Sequence, residues 1–263
     1  MPRKFLVFSI ATNGFDVAYR SCLETQRRYA RANGYDHVLV RRPYFVWHFP
    51  AHDSAWLKIP LILGALSRDY EWILFVDADC EIRPTCPPIQ SVDRPGKAIH
   101  VANGFSGRPN SGVIIVKQSR EAIEFFRRLL QAADDSDIPE EDRAPYENGH
   151  FIHYAKNCDA IQIIDSAWNN NRDACLPDFV RHYTGPLKGA YRAGMIPRAA
   201  PRIAKLVIGA RRTIVGAGSA LRRFVLREAC PPLPVRERLR GLFEASCRRY
   251  PRYFSATAWV DGP

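Results

Sequence analysis

A chain of 263 residues with 46% hydrophobic, 25% charged and 11% aromatic residues is long enough to bury a sizeable core, and its composition excludes wholesale disorder. No uninterrupted apolar stretch approaches the roughly 18 residues that cross a bilayer, so no ordinary transmembrane helix is expected. The net charge of +11 is unevenly placed: residues 1–187 hold 22 Lys and Arg against 23 Asp and Glu, and residues 188–263 hold 16 against 4.

The opening Met1-Pro-Arg-Lys and the apolar run Phe5 to Ala11 lack a small-residue cleavage site, so the segment reads as a first buried strand, Lys4 to Ile10, and not as a signal peptide. Phe15 to Asn33, apolar at Val17, Cys22, Leu23, Tyr29 and Ala30, predicts an amphipathic helix stopped by Gly34. Asp36 to Val40 predicts a second strand. After an aromatic loop, Tyr44 to Trp56, the stretch Leu57 to Leu66 predicts a helix that tolerates Pro60 in its first turn. Glu71 to Val76, Ala98 to Ala102 and Gly112 to Lys117 are further short apolar strands. Arg120 to Ala133 predicts a helix with an apolar face at Ala122, Ile123, Phe126, Leu129 and Leu130. The acidic, Pro-containing stretch Ala133 to Tyr146 predicts an exposed loop.

Strands alternating with helices predict an α/β domain, a mostly parallel sheet with helices on both faces. Composition changes near Gly185 to Gly194, dividing a domain of residues 1–190 from a basic, Pro-containing helical extension, residues 191–263. The seven cysteines form no C-x-x-C pair, which favours free, mostly buried thiols in a reducing cytosol over a zinc or redox site. The histidines form no H-E-x-x-H signature, so His150 and His153 read as structural or exposed.

The most informative stretch is Trp72-Ile-Leu-Phe-Val-Asp77-Ala78-Asp79, a buried strand ending in two carboxylates one residue apart. Positions i and i+2 of an extended backbone project to the same side, so Asp77 and Asp79 can converge at the carboxyl edge of the sheet, where open α/β sheets bind ligands. Two hard oxygen donors there suit Mg²⁺ or Mn²⁺ bridging a diphosphate. A solvated strand end is the plainer alternative, because a bare D-x-D is common.

Three other segments occur in an order that resembles a known family. Arg28-Tyr29-Ala30-Arg-Ala-Asn-Gly34-Tyr35 is similar to the YA-x-x-x-GY element of glycosyltransferase family 34, the galactosyl and mannosyl transferases. Trp56-Leu-Lys58-Ile-Pro60 is similar to its W-x-KIP segment, Asp77-Ala78-Asp79 to its metal-binding D-x-D, and Asn110-Ser111-Gly112-Val to its NSG-V strand entry. His182-Tyr-Thr-Gly185-Pro-Leu-Lys188 resembles the H-x-x-G-x-x-K pattern of related retaining glycosyltransferases. The resemblance spans roughly residues 5–188 and implies a GT-A, Rossmann-like fold.

It implies Mn²⁺ or Mg²⁺ held by Asp77, Asp79 and His182, with a UDP- or GDP-sugar as donor. Lys188 would neutralise the diphosphate leaving group, and Gly185 would let the backbone approach the phosphates. Ala11, Thr12 and Asn13, following Ser9, would contact base and ribose, or form a polar turn. Lys58 would reach phosphate or ribose, unless it is an ordinary exposed lysine. Asn110 and Ser111 would contact the donor sugar. Glu147-Asn148 stands where the relatives have an acid–amide pair; Glu147 would orient an acceptor hydroxyl or steady the transition state, and Asn148 is the departure from glutamine. Trp168-Asn169-Asn170-Asn171 resembles the W-N segment before the histidine motif, with Trp168 either stacked on a sugar or in the core.

The basic stretch 202–227, with Arg pairs at 211/212 and 222/223, fits a peripheral anchor on an anionic membrane near a lipid-linked acceptor, or a helix packed on the catalytic domain. Binding of nucleic acid is the weakest reading of it. The expectation is a cytoplasmic enzyme, soluble or peripheral on the inner face of the membrane, transferring sugar to a glycan or glycolipid hydroxyl for a cell-surface glycan. The rivals are a haloacid-dehalogenase-like phosphatase, which also places D-x-D after an apolar strand, and a non-enzymatic basic membrane or RNA adaptor.

Overall fold

The structure is a computed structural model and describes residues 4–41, 51–191 and 233–259. The stretch 202–227, Cys230 and most of the aromatic loop before Ala51 lie outside the described residues.

Strand β1 (Phe5–Ile10) alternates its side chains between two cores, Leu6 and Phe8 on one face of the sheet and Val7 on the other. Both faces are covered, which is why the run is apolar throughout instead of alternating with polar residues. It is followed by the short helix α1 (Phe15–Ala18) and by α2 (Arg20–Ala32). The single helix expected over Phe15 to Asn33 is thus broken at Tyr19, whose φ of −110° and ψ of 29° leave helical geometry. Strand β2 (Asp36–Val40) pairs parallel with β1.

Part of the expected aromatic loop is helical: α3 (Ala51–Trp56) precedes α4 (Lys58–Leu66), which is buried along its whole length. Strand β3 (Trp72–Val76) is also wholly buried and pairs parallel with β1. There follow β4 (Cys80–Ile82), β5 (Ile99–Ala102), β6 (Val113–Lys117) and α5 (Arg120–Gln131), whose Ser119 cap accepts a hydrogen bond from the Ala122 N–H. Then come α6 (Asn148–Ala155), β7 (Ile161–Ile164), β8 (Val180–His182) and α7 (Val235–Arg249).

The main sheet runs β2-β1-β3-β6-β5-β7, and β6, antiparallel to both β3 and β5, is the one reversed strand. This reversal positions the site. The carboxyl ends of β1 and β3 share an edge, and β6 begins at that same edge, with Val113 opposite Val76. Asn110, Ser111 and Gly112 therefore enter β6 beside Asp77.

Helix α7 packs on the domain through Leu239, Leu242, Phe243 and Cys247, which join the same core as Phe8, α4 and α5. Arg238 on α7 forks on to Asp53 of α3, Nη2 to Oδ1 at 2.8 Å and Nε to Oδ2 at 2.9 Å, and Asp53 is only 1% exposed. The stretch expected as an exposed acidic loop is partly tied down. Asp142 is buried and ion-paired with Lys156 and His153, and Ala144 to Tyr146 line a cleft beside Asp77. Cys22, Cys80, Cys86, Cys158, Cys175 and Cys247 are free thiols. Among the described residues no helix is long and apolar enough to cross a membrane.

Candidate active site

Strand β3 runs out at Val76, and Asp77 to Asp79 form the turn into β4. The turn is held from three sides. The Asp77 N–H donates to Gly112 O at 2.8 Å, the Tyr183 N–H donates to Asp79 O at 3.0 Å, and the Gln26 amide donates to Asp77 O at 3.0 Å and to Cys80 O at 2.8 Å. Gln26 is itself buried on α2, its amide oxygen accepting from Ser9 Oγ. Every polar group of this network is paired, which fixes where the two carboxylates point.

Strand β8 pairs antiparallel with β4 in the register Cys80 to His182, so the imidazole arrives directly beside the turn. His182 Nε2 lies 3.3 Å from Asp79 Oδ1 and 3.8 Å from Asp77 Oδ2. Its other nitrogen, Nδ1, lies 2.9 Å from Asn169 Oδ1. The Asn169 amide nitrogen donates to Asn110 O and Oδ1, so the oxygen it turns to His182 is an acceptor. Nδ1 therefore carries the proton, and the Nε2 of a neutral ring presents a lone pair toward both carboxylates. Burial opposes charge on the ring, but Asp79 and Asp77 outweigh it and raise its pKa. Asp77 keeps 34% of its side chain open to the cleft, yet protein surrounds the carboxyl closely; burial pushes its pKa up to about 6, with Lys58 pulling it down and Asp79 pushing it up. Two carboxylates facing an imidazole nitrogen form a donor set that fits Mn²⁺ or Mg²⁺.

A buried charge cluster lies behind Asp77. Lys58, at the start of α4, is 4% exposed and its ammonium reaches Glu147 Oε1 at 2.8 Å, Ser111 O at 3.2 Å and Asp77 Oδ1 at 3.4 Å. Burial opposes its charge, and Asp77 and Glu147 more than restore it, leaving its pKa raised. Ser111 Oγ donates to the same Glu147 oxygen at 2.7 Å, and the Ser111 N–H donates to Asn148 Oδ1 at 2.8 Å. Both Glu147 contacts use Oε1, which leaves Oε2 to offer. Lys58 is thus neither an exposed lysine nor free to meet a phosphate: its three donors hold protein.

These groups line one cleft of about 530 Å³, together with Thr12, Asn13, Asn110 and Gly185. Thr12 hydrogen-bonds Ser54 at 2.8 Å, joining the end of β1 to α3. Ala11, Leu23 and Ala78 form a small apolar cluster; Ala78 lines the cleft, and Ala11 supports it without lining it. Asn110 commits its amide oxygen to the Gly112 N–H and to Asn169, which leaves its amide N–H groups for a ligand. Lys188 is exposed on the turn Gly185–Ala190, outside the residues that line the cleft. Trp168 is 4% exposed and packs edge-on against Phe179, which makes it core and not a sugar platform.

Sequence reasoning missed several residues, or the part they play. Gly112 does not need a special backbone; it needs the absence of a side chain, since a Cβ there would lie 2.3 Å from His182 Cε1. Gly185 combines φ +51° with Phe105, whose ring would meet its Cβ at 2.7 Å. Arg108 Nη1 donates to Glu141 O and Arg143 O, fastening the loop that ends in Tyr146. Tyr146, at φ 61° and 52% exposed on the cleft rim, holds a left-handed backbone that costs a bulky residue about 1–3 kcal/mol. Gln26 and Asn169 act only through others. Of these, Gly185 was expected for a close approach to the phosphates and not for its contact with Phe105, and the glycine in Asn110-Ser111-Gly112 was the other signal visible beforehand.

Comparison with solved structures gives the fold a name. A glycosyltransferase involved in the glycosylation of the major capsid of PBCV-1 is 17% identical, with a TM-score of 0.54 over 71% of this chain and 97% of that one. The fold is that of the GT-A glycosyltransferases. The bifunctional glycosyltransferase WbbM is similar too, at 12% identity and a TM-score of 0.50, over 70% of this chain and 46% of that one. No protein-family model matches the sequence, and no curated protein matches it. A mixed, mostly parallel sheet flanked by helices is therefore shared with sugar-transferring enzymes at identities that speak for the fold alone.

Proposed function

We propose that this protein is a metal-dependent, retaining glycosyltransferase, resembling family 34, that moves a hexose or pentose from a UDP- or GDP-sugar to a hydroxyl of a glycan or lipid-linked saccharide. The observation that carries the reading is the meeting of Asp77, Asp79 and His182 Nε2 at the carboxyl end of β3, inside a cleft on a GT-A fold. Asp77, Asp79 and His182 hold Mn²⁺ or Mg²⁺, which when bound supplies positive charge to the diphosphate as the glycosidic bond breaks.

The remaining roles fall to the chain's own groups. Thr12 and Asn13, beyond the end of β1, contact base and ribose. The Asn110 amide N–H groups and Glu147 Oε2 orient the sugar, with Glu147 held in place by Lys58 and Ser111 and Asn148 fixing the Ser111 backbone. Lys188, three residues past Gly185 on the same turn, swings its long side chain to the diphosphate. Residues 1–190 carry the chemistry, and the basic residues after them bring the enzyme to an anionic surface where a lipid-linked acceptor resides.

Calorimetric titration of UDP and GDP with and without Mn²⁺, on the wild type, Asp79→Ala and His182→Ala, tests the reading. Metal-dependent binding of one nucleotide, lost in both variants, is the expected result. Lys188→Ala should weaken nucleotide binding about tenfold while leaving Mn²⁺ affinity unchanged, a loss of about 1.4 kcal/mol. Binding of neither nucleotide under any metal condition would overturn the proposal. Retention is read by NMR from the anomeric configuration of the first product formed.

A further inference from the structure

The metal-ligating side chains at this edge of the sheet do not stop at Asp77, Asp79 and His182. Cys80 follows Asp79 and is the direct cross-strand partner of His182. Residues directly opposite in an antiparallel pair project to the same face with Cβ atoms about 5 Å apart, so the thiol and the imidazole are neighbours by register. A carboxylate oxygen of Asp79, Cys80 Sγ and a ring nitrogen of His182 all lie within 4.8 Å of one another. Among the described residues this is the group of three such donors that comes together.

The sulfur belongs to the apolar core that also holds Val113 and Ile115 and makes no short hydrogen bond. Its contact is a long one, to Gly112 O at 3.9 Å. Its position is fixed, because β4 is pinned to β8 on one side and the Cys80 carbonyl is held by Gln26 on the other. The side chain is fully buried, so solvent does not compete for the sulfur.

We propose that Cys80 is a further ligand of the metal centre, and that the centre consequently favours thiophilic divalent cations of the Zn²⁺, Co²⁺ and Cd²⁺ class over Mg²⁺. The inference rests on the reading of Asp77, Asp79 and His182 as a metal site. On binding, a sulfur–metal bond forms, the thiol proton passes to solvent, and no electron is transferred. Any nitrogen and oxygen site already prefers Co²⁺ to Mn²⁺, so the part of the preference that belongs to Cys80 is the part its removal abolishes. A carboxylate, thiolate and imidazole set is soft enough to add that preference, whereas Asp77 and Asp79 alone are hard.

The test uses the full chain loaded with Co²⁺ in the absence of nucleotide. The wild type should show a near-ultraviolet sulfur-to-cobalt charge-transfer band beside the visible d–d bands of bound Co²⁺. Cys80→Ser should keep the d–d bands and lose the charge-transfer band, and its Cd²⁺ affinity should fall about tenfold or more while Mg²⁺ affinity stays within about twofold. Asp79→Ala, which leaves every thiol in place, should abolish the band as well; this control decides the matter if Cys80→Ser does not fold. Tight Co²⁺ binding with d–d bands and no charge-transfer band overturns the role of Cys80 and leaves the metal site standing. Absence of all metal binding overturns both.

Discussion

Gly112→Ala offers the most direct challenge to the geometry of the site. The added methyl would sit 2.3 Å from His182 Cε1, 2.8 Å from Nδ1 and 2.9 Å from Asn110 Oδ1, where ordinary contact begins near 3.4 Å. The ring has to withdraw by about an ångström, because Gly112 is fixed by hydrogen bonds on both sides, its carbonyl to the Asp77 N–H and its own N–H to Asn110. A retreat of that size takes Nδ1 beyond reach of Asn169, now at 2.9 Å. Overpacking costs about 1–3 kcal/mol and the lost hydrogen bond about 1 kcal/mol more. For a protein of this size that corresponds to a melting temperature lower by roughly 4–8 °C.

Because the displaced group is the one that orients Nε2, Mn²⁺ affinity should fall about 10–100-fold. Differential scanning calorimetry and Mn²⁺ titration read the two effects separately. Gly189→Ala serves as the control, since a Cβ there meets nothing within 4 Å. A Gly112→Ala protein that melts with the wild type and binds Mn²⁺ equally well would refute the claim that this glycine makes room for the imidazole.

Lys58→Met should cost about 3–5 kcal/mol in urea denaturation, because it strands the buried carboxylate of Glu147 and removes the cation beside Asp77; adding Glu147→Gln should recover part of the loss. Gln26→Leu should weaken Mn²⁺ binding although Gln26 has no donor near the ion site, since Asp77 O and Cys80 O lose their clamp; unchanged affinity in calorimetry would count against it. His100, fully buried on β5 against Trp72, has its pKa pushed down to about 4 by burial. It is neutral in the fold and takes up a proton on unfolding below its ordinary value of about 6.5, so its contribution is present at neutral pH and is lost as the pH falls from 6.5 to about 4. The loss is on the order of 3 kcal/mol, and His100→Asn should flatten that part of the pH–stability profile.

The apolar strands were legible in the sequence as uninterrupted hydrophobic runs, and the amphipathic α5 because it is long enough to show a helical period. The edge at which Asp77 and Asp79 emerge followed from them. Strands β4 and β8 were not legible: Cys80-Glu81-Ile82 and Val180-Arg181-His182 are three residues each, and their pairing depends on a register between segments about a hundred residues apart. Lys58 shows the deeper limit. Its type suggested a phosphate contact, while its environment is set by Glu147 and Asp77, which only the folded sheet brings to it. Tyr19 shows a smaller one, since nothing in the apolar spacing of Phe15 to Asn33 marks the break between α1 and α2. Trp168 read equally well as platform or core until Phe179 was beside it.

The packing of α7 and of the residues that follow it bears on how the protein is made. Phe254 rests edge-on against Phe8 with ring centres 5.5 Å apart, Arg252 reaches Asp36, and Arg238 reaches Asp53, each across roughly two hundred residues of chain. On a ribosome adding about 5–20 residues per second, the face of the sheet under α4 waits ten seconds or more for its cover. During that interval Phe8 and Leu61, fully buried in the finished protein, border a surface that nothing yet shields. Yield from cells should therefore depend on chaperone supply, and more steeply in variants that loosen α7.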